Sequence, residues 1–141
     1  MNKHLSVIIF GILVNFRSKM QSSEFEKYFK HFPNLSERFI GVFSIDKVPK
    51  SLNYRHFSIV NTDISSEDGS HWFVILRNKK SSYEVFDSLS ITSEKEHLLK
   101  NYLTFKTRFL EVNETQFQAN SSTACGKFCI YYIIQRFDNN L

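Results

Sequence analysis

The clearest pattern of apolar and polar positions in the chain lies in residues 23–32. Its apolar side chains recur at intervals of three and four residues, with charged residues between them: Phe25, Tyr28, Phe29 and Phe32. This spacing places four rings on one face of an α-helix, so the segment is predicted to be an amphipathic helix packed on a core. Pro33 and Asn34 are expected to end it.

Five shorter apolar runs have the length and composition of β-strands. They are rich in Val, Ile and Phe and comprise residues 39–45, 56–61, 71–77, 82–87 and 107–112. Runs of this kind predict strands. Because only residues 78–81 separate the third run from the fourth, these two are expected to form an antiparallel hairpin. Residues 49–54 and 62–70 predict loops.

Two later segments are predicted to be helical. Residues 92–103 have a polar start followed by an apolar stripe of Leu98, Leu99, Tyr102 and Leu103. Residues 125–134 are apolar at position 128 and from 130 onwards, and they contain no Gly or Pro after Gly126. That composition predicts a helix buried on most of its circumference, with Ser122 or Thr123 as its cap.

Cys125 stands at the predicted start of this last helix. Unpaired backbone N–H groups and the helix dipole favour negative charge in a first turn, so they lower the pKa of a thiol placed there. Cys125 is therefore a candidate nucleophile, and the alternative is a small buried core residue. Cys129, one turn later, is assigned to the core.

The cysteine pattern also limits the kinds of site that the chain can hold. Two cysteines four positions apart on one helix are poorly placed for a disulfide, so neither is expected to be bridged. The chain has no CxxC motif and no Cys/His metal spacing, which argues against a disulfide scaffold and a zinc site and favours a reducing compartment. We expect no metal and no cofactor.

Charge and hydropathy set the first 19 residues apart from the remainder. Residues 1–19 contain three of the 18 basic residues and no acid, which leaves 15 basic and 14 acidic residues in residues 20–141. The apolar block 5–16 mimics a signal peptide, but it is short for a membrane span and lacks a small-residue cleavage pattern. We expect a dispensable extension over residues 1–19, one domain over residues 20–141, and no membrane association. A buried strand over the apolar block is the alternative.

The predicted hairpin brings together two polar residues that are distant in sequence. His71 starts its first strand and Asp87 ends its second, so the imidazole and the carboxylate are expected to be neighbours. That is the arrangement of a general base and the group that orients it. Asp68 and Glu84 are alternative orienting acids, and His71 and Asp87 are alternatively structural residues.

Gln118 lies seven residues before Cys125, within reach of a loop that folds back. Its amide is a candidate donor to an oxyanion, and its alternative is a solvated loop residue. In the order His71, Asp87, Gln118 and Cys125, the chain resembles the adenovirus-type cysteine proteases, viral relatives of the ubiquitin-like-specific proteases. The resemblance runs from about residue 20 to residue 137 and is carried by residues 39–43, 59–62, 69–72, 86–87 and 118–129.

The resemblance implies an α+β fold with a central mixed sheet flanked by helices and the nucleophile at the start of a buried helix. It also implies roles: His71 as base, Asp87 as its orienting acid, Gln118 as oxyanion donor and Cys125 as nucleophile. The implied function is a cysteine endopeptidase that cuts viral or virus-like precursor proteins. We expect a monomer in the host nucleus, the cytoplasm or the virion, and not a secreted protein.

Three departures from the adenoviral pattern affect these expectations. Asp87 stands where adenoviral members commonly have Glu, and either acid can orient an imidazole. Residues 104–117 contain no cysteine, so a disulfide-linked activating peptide is not expected. The chain also ends at Leu141, shortly after the nucleophile helix, which fits either a minimal catalytic core or a truncated one.

Other functions are compatible with the same residues. The chain could remove ubiquitin-like proteins from conjugates, acetylate proteins by a related acyl transfer, or be an inactive or truncated homologue that acts as a binding module. The near-neutral charge of residues 20–141 lacks the clustered basic charge of nucleic-acid surfaces, so DNA is expected to bind weakly.

Overall fold

The centre of the fold is a five-stranded mixed sheet. The computed structural model describes residues 22–49, 51–61, 71–79, 82–88, 109–112 and 125–137. Within these ranges the strands are β1 (Phe39–Ser44), β2 (Phe57–Asn61), β3 (Trp72–Lys79), β4 (Ser82–Phe86) and β5 (Phe109–Val112). They lie side by side in chain order. The three central strands are antiparallel, whereas β1 runs parallel to β2 and β5 runs parallel to β4.

The predicted hairpin is confirmed as β3 and β4. Ile75 pairs with Val85, and Lys79 pairs with Ser82 next to the turn. Successive side chains of a strand point to opposite faces of a sheet. Alternate residues of β3 and β4 accordingly belong to two separate hydrophobic clusters, one on each face of the sheet.

Three described α-helices accompany the sheet: α1 (Ser22–Phe29), α2 (Pro33–Ser36) and α3 (Cys125–Phe137). A short 3-10 helix, Ile45–Lys47, follows β1. The predicted first helix is confirmed as α1, but it ends at Phe29 and not at Phe32. Pro33 begins α2 and occupies its first turn. A proline is well suited to that position because a first-turn residue has no N–H partner within the helix to lose. The prediction that Pro33 only ends a helix was therefore incomplete.

The larger hydrophobic cluster lies between the sheet and helices α1 and α3. Its fully buried members include Phe25 and Phe29 of α1, Val74 of β3, and Ile133 and Ile134 of α3. The cluster on the opposite face of the sheet contains Ile45, Leu52, Val60, Phe73, Ile75, Tyr83 and Val85. Burial on both faces explains why the central strands are almost continuously apolar, in place of alternating apolar and polar residues.

Helix α3 is held at its far end by an aromatic residue. Phe137 is 1% exposed, and the guanidinium carbons of Arg38 and Arg55 lie 5.5 and 5.2 Å from the centre of its ring. Cations near the last turn of a helix also interact favourably with the helix dipole. Arg55 adopts a left-handed backbone conformation, with φ of 63°.

The α+β class with a mixed sheet and packed helices is confirmed, as are the strands at residues 39–45, 56–61 and 107–112 in all but their end positions. Four of the predicted segments and caps lie outside the described residues: the extension 1–19, the loop 62–70, the helix 92–103, and the cap at Ser122 or Thr123. In the described part of the chain, no helix combines the length and the apolar character needed to cross a membrane.

Deleting residues 1–19 is expected to leave the fold intact. Residues 1–19 hold three basic residues and no acid, whereas residues 20–141 are nearly neutral. Because this break sets the extension apart from the domain, the free energy of unfolding should change by less than about 0.5 kcal/mol. Urea denaturation of the full chain and of a chain that starts at Met20 measures this difference. A much larger loss would assign the apolar block 5–16 to the core.

Candidate active site

Two polar residues flank the β3–β4 hairpin at one end of the sheet. His71 immediately precedes β3 and Asp87 immediately follows β4, and the pairing of Val74 with Phe86 brings these two strand ends together. The His71 Nε2 and Asp87 Oδ1 atoms are 2.5 Å apart. The predicted contact between these side chains is therefore present. The Asp87 side chain is 1% exposed and the His71 side chain 12% exposed, so little water competes for the hydrogen bond.

Cys125 is the first residue of α3, and its side chain contacts that of His71. The thiol is hydrogen-bonded to the His71 side chain and to the backbone N–H groups of Trp72 and Gly126. Because Asp87 occupies Nε2 of the ring, Nδ1 is the nitrogen left to face the sulfur. The imidazole thus joins Asp87 and Cys125 in one chain of hydrogen bonds.

The environment of His71 favours its charged form. Burial by itself lowers the pKa of the imidazole, but the hydrogen bonds to Asp87 and Cys125 and the negative charges of both residues outweigh burial. Together they raise the pKa of His71 from 6.5 to about 9. The imidazole is consequently an imidazolium at neutral pH.

The same contacts act in the opposite direction on Cys125. Burial raises the pKa of a thiol, yet the hydrogen bond and the positive charge of His71, together with the Trp72 and Gly126 N–H groups, lower the pKa of Cys125 below its usual value. A thiolate held beside an imidazolium is a far better nucleophile than a thiol at neutral pH. The arrangement can therefore perform nucleophilic catalysis.

Cys129 does not share this chemistry. It is 1% exposed, and burial, with added repulsion from the charges of Cys125 and Asp87, raises the pKa of its thiol well above the usual value. Its prediction as a core residue is confirmed. Both cysteines are free, so neither is bridged to the other.

Glu84, a rival orienting acid, faces another set of partners. Its carboxylate accepts hydrogen bonds from Tyr132 and Arg136 of α3, and Asp87 is the acid that contacts His71. Asp68 and Gln118 both lie outside the described residues. The role of Gln118 as an oxyanion donor stays a prediction.

The Trp72 N–H is a functional group that sequence reasoning did not identify, whereas the Gly126 N–H is one of the first-turn donors expected beside Cys125. Any non-proline residue carries a backbone N–H, so residue type gives no signal for such a donor. The nearest sequence signal was the position of Cys125 in a first helical turn. Among the described residues, no group of three or more His, Cys, Asp or Glu side chains is arranged to hold a metal ion.

Relatives of part of the chain occur in African swine fever virus. No protein-family model matches the chain. The SUMO-1 cysteine protease S273R of isolate Tick/South Africa/Pretoriuskop Pr4/1996 and the cysteine protease S273R of strain Badajoz 1971 Vero-adapted are each 35% identical to it over 94 residues. The match covers 57% of this chain and 33% of each relative, so the chain matches about one third of the length of these relatives.

Solved structures of the same viral protease share the fold. The crystal structure of the African swine fever virus pS273R protease matches with a TM-score of 0.52 and 18% identity, covering 90% of this chain and 60% of that chain. Its selenomethionine form matches with a TM-score of 0.53 and 16% identity, covering 90% and 61%. These matches confirm the cysteine-protease-like α+β fold. The similarity found is to the swine fever virus enzyme, and the adenovirus-type assignment stays a prediction.

Proposed function

We propose that the chain is a cysteine protease in which Cys125, His71 and Asp87 carry out peptide hydrolysis. The observation that supports this proposal best is the continuous chain of hydrogen bonds from a buried carboxylate through an imidazole to a thiol at a helix start. Nucleophile, base and orienting group are then in contact before substrate arrives, which is the arrangement that covalent catalysis needs.

The reaction follows from the charges of these groups. The Cys125 thiolate attacks the carbonyl carbon of the scissile peptide bond, and the carbonyl electron pair moves to oxygen to give a tetrahedral oxyanion. When this collapses, the His71 imidazolium donates its proton to the departing amine, and an acyl-enzyme remains on the sulfur. Neutral His71 then takes a proton from water as the water oxygen attacks the thioester. The second tetrahedral intermediate collapses to the carboxylic acid and the Cys125 thiolate, which restores the thiolate–imidazolium pair.

Stabilisation of the oxyanion is assigned to donors near the start of α3. First-turn N–H groups of a helix have no partner within the helix and point toward the N-terminal end. We assign one donor to these N–H groups and a second to the Gln118 amide. Gln118 lies seven residues before Cys125, so the intervening segment is long enough to fold back and bring the amide to the nucleophile. Donors of this kind act where charge develops and not on the ground-state carbonyl.

The proposed substrate is a viral or virus-like precursor protein, cut as an endopeptidase. Support comes from the swine fever virus relatives, which are called cysteine proteases. Removal of ubiquitin-like proteins is the second candidate, and the words "SUMO-1 cysteine protease" in the description of one relative favour it. A binding module without activity is disfavoured because such a module has no need of an intact Cys–His–Asp set.

A cleavage panel tests the proposal. Fluorogenic peptides with varied residues around the scissile bond and conjugates of several ubiquitin-like proteins are incubated with the protein, and cleavage sites are read by mass spectrometry. Peptide cleavage with a trapped acyl-enzyme supports the endopeptidase, whereas cleavage of conjugates alone supports the deconjugating enzyme. Absence of both, with a folded protein, contradicts a protease.

The location and assembly of the protein belong to the same proposal. We propose a monomer that acts on a protein substrate in the host nucleus, the cytoplasm or the virion, without a metal, a cofactor or a disulfide-linked activator. The near balance of basic and acidic residues in residues 20–141 supports weak binding of DNA, because tight electrostatic binding requires many phosphate contacts.

The pH dependence of activity should report the thiolate–imidazolium pair. On the alkaline side, activity is expected to fall around pH 9, as His71 loses the proton that the leaving amine needs. On the acid side, it falls as the pH drops below the lowered pKa of Cys125 and the thiolate becomes protonated. These two limits belong to the coupled pair. The value of kcat/KM from about pH 5 to pH 10 measures them.

Asp87→Asn should narrow this profile from both sides. Without the carboxylate the imidazolium is less stable, so the alkaline limit should move down toward pH 6.5. The thiolate then loses its cationic partner at a lower pH, which moves the acid limit up. Activity at the optimum should fall less than in any Cys125 variant, since papain-like enzymes work with Asn as the orienting residue. If the alkaline limit of Asp87→Asn stays near pH 9, the Asp87 carboxylate is not what raises the pKa of His71.

A further inference from the structure

A second polar cluster joins the strand that leads to Asp87 with the helix that carries Cys125. We call it the Glu84 network, and it consists of Glu84 on β4 with Tyr132 and Arg136 on α3. Tyr132 Oη donates to Glu84 Oε2 at 2.6 Å, and Arg136 donates through Nε to Oε2 at 3.1 Å and through Nη2 to Oε1 at 2.5 Å. The carboxylate is held at both oxygens.

Glu84 is a buried charge with a specific set of donors. The residue is 8% exposed, while the Arg136 side chain is 35% exposed. Burial of an unpaired carboxylate is strongly unfavourable, whereas two-pronged pairing with a guanidinium plus a phenol hydrogen bond satisfies both oxygens and fixes their direction. The network therefore has one preferred geometry.

A stacked ring pair adds to the same connection. The rings of Phe86 and Tyr132 lie 4.2 Å apart at an interplanar angle of 5°. Phe86 is the last residue of β4, directly before Asp87. Tyr132 thus contacts the strand at two successive residues of one face, through its hydroxyl at Glu84 and through its ring at Phe86.

The two elements meet at matching distances from the candidate active site. Glu84 precedes Asp87 by three strand residues, a distance of about 10 Å at about 3.3 Å per residue. Tyr132 follows Cys125 by seven helical residues, also about 10 Å at about 1.5 Å per residue. The Glu84 network therefore lies about 10 Å from the catalytic groups, whether the distance is followed along β4 or along α3.

The hydrogen bonds of the Glu84 network fix the position of α3 on the sheet more sharply than the apolar contacts around them. Helix α3 packs on the sheet through Cys129, Ile130, Ile133 and Ile134, and hydrophobic contacts alone specify an arrangement less sharply than hydrogen bonds. A small sliding or rotation of α3 would move the Cys125 sulfur relative to His71. Displacements of about 1 Å can cost up to about 100-fold in rate.

We infer that Glu84, Tyr132 and Arg136 are positioning residues, which hold α3 in register with β4 so that the Cys125 sulfur stays in hydrogen-bond contact with the His71 ring. This inference rests on the proposed function for its effect on hydrolysis. Its effect on the reactivity of the Cys125 thiol is independent of any substrate, so the two can be tested separately.

The test compares Glu84→Gln, Arg136→Lys and Tyr132→Phe with the parent chain. Glu84→Gln removes the charge, Arg136→Lys keeps the cation but loses the two-pronged geometry, and Tyr132→Phe keeps the stack on Phe86 but loses the hydroxyl. The control is Ile45→Val, which removes one methylene from the cluster on the opposite face of the sheet. Ile45→Ala replaces it if a larger loss of stability is needed to match the network variants.

Two quantities are measured on each folded protein. The first is the rate at which iodoacetamide alkylates Cys125, followed across pH by mass spectrometry. The second is kcat and KM for a peptide that the parent cleaves. In Glu84→Gln, alkylation at pH 6 should slow and its acid limit should move to higher pH, while kcat falls by about tenfold with KM little changed. Tyr132→Phe should show a smaller change of the same kind.

The outcomes separate positioning from simple stabilisation. If the network variants unfold at lower temperature but keep the alkylation profile and the kcat of the parent, the inference is wrong. It is equally wrong if Ile45→Val, matched for loss of stability, changes the alkylation profile as much as they do. If the parent cleaves neither peptides nor conjugates, the proposed function fails, and the alkylation profiles alone still decide whether the network positions Cys125.

Discussion

Replacing Cys125 by alanine is expected to reduce cleavage to background, and replacing it by serine to do the same. Alanine removes the nucleophile. A serine hydroxyl keeps the shape, but it cannot form a stable anion beside the His71 imidazolium, because its proton is far harder to remove than that of a thiol whose pKa is lowered. His71→Ala should be almost as inactive, since the thiolate then loses its cation and the leaving amine loses its proton donor.

The control for these variants is Cys129→Ala. It removes the neighbouring buried thiol and should retain turnover, at some cost in stability from the cavity that it leaves. Initial rates with one substrate and thermal unfolding of all four proteins separate lost chemistry from lost folding. Substantial activity in Cys125→Ser would contradict a thiolate that exists before substrate binds.

Replacing Gln118 by alanine is expected to lower kcat by about 10² to 10³-fold, which corresponds to about 3 to 4 kcal/mol of lost transition-state stabilisation. The amide is proposed to donate to the oxyanion, which exists only after Cys125 has attacked. A group that acts only on the transition state changes kcat and leaves KM nearly constant. Steady-state kinetics on the parent and the variant measure both constants.

Gln116→Ala is the matched control for this variant. It removes the same side chain two positions earlier in the same segment and is expected to leave kcat unchanged. Equal losses in the two variants would indicate that the segment matters for folding or substrate binding, and that Gln118 has no special role. A loss confined to KM in Gln118→Ala would assign its amide to ground-state binding of the substrate.

The parts of the site that the sequence predicted well depend on short-range structure. His71 and Asp87 are 16 residues apart, and a hairpin whose strands are separated only by residues 80 and 81 determines their contact almost alone. Cys125 was identified because it stands at the start of the helix that an apolar run predicts. In both cases one local element fixes the position of the functional group, so a periodic pattern carries enough information.

The parts that the sequence did not predict depend on contacts between distant segments. Glu84 was predicted only as an alternative acid to orient His71. Its actual partners, Tyr132 and Arg136, are 48 and 52 residues away, and only the packing of α3 on the sheet selects them. The spacing of four between those two residues, which places them on one helix face, was the available signal.

The different surroundings of the two cysteines have a practical consequence for counting thiols. Both thiols are buried, but the pKa of Cys125 is lowered and that of Cys129 is raised. In the native protein an alkylating reagent should therefore modify one sulfur per chain, that of Cys125. The second sulfur becomes available only when α3 separates from the sheet. One stoichiometric titration therefore gives two separate readings: the first equivalent counts competent active sites, and the slow appearance of the second records opening of the domain.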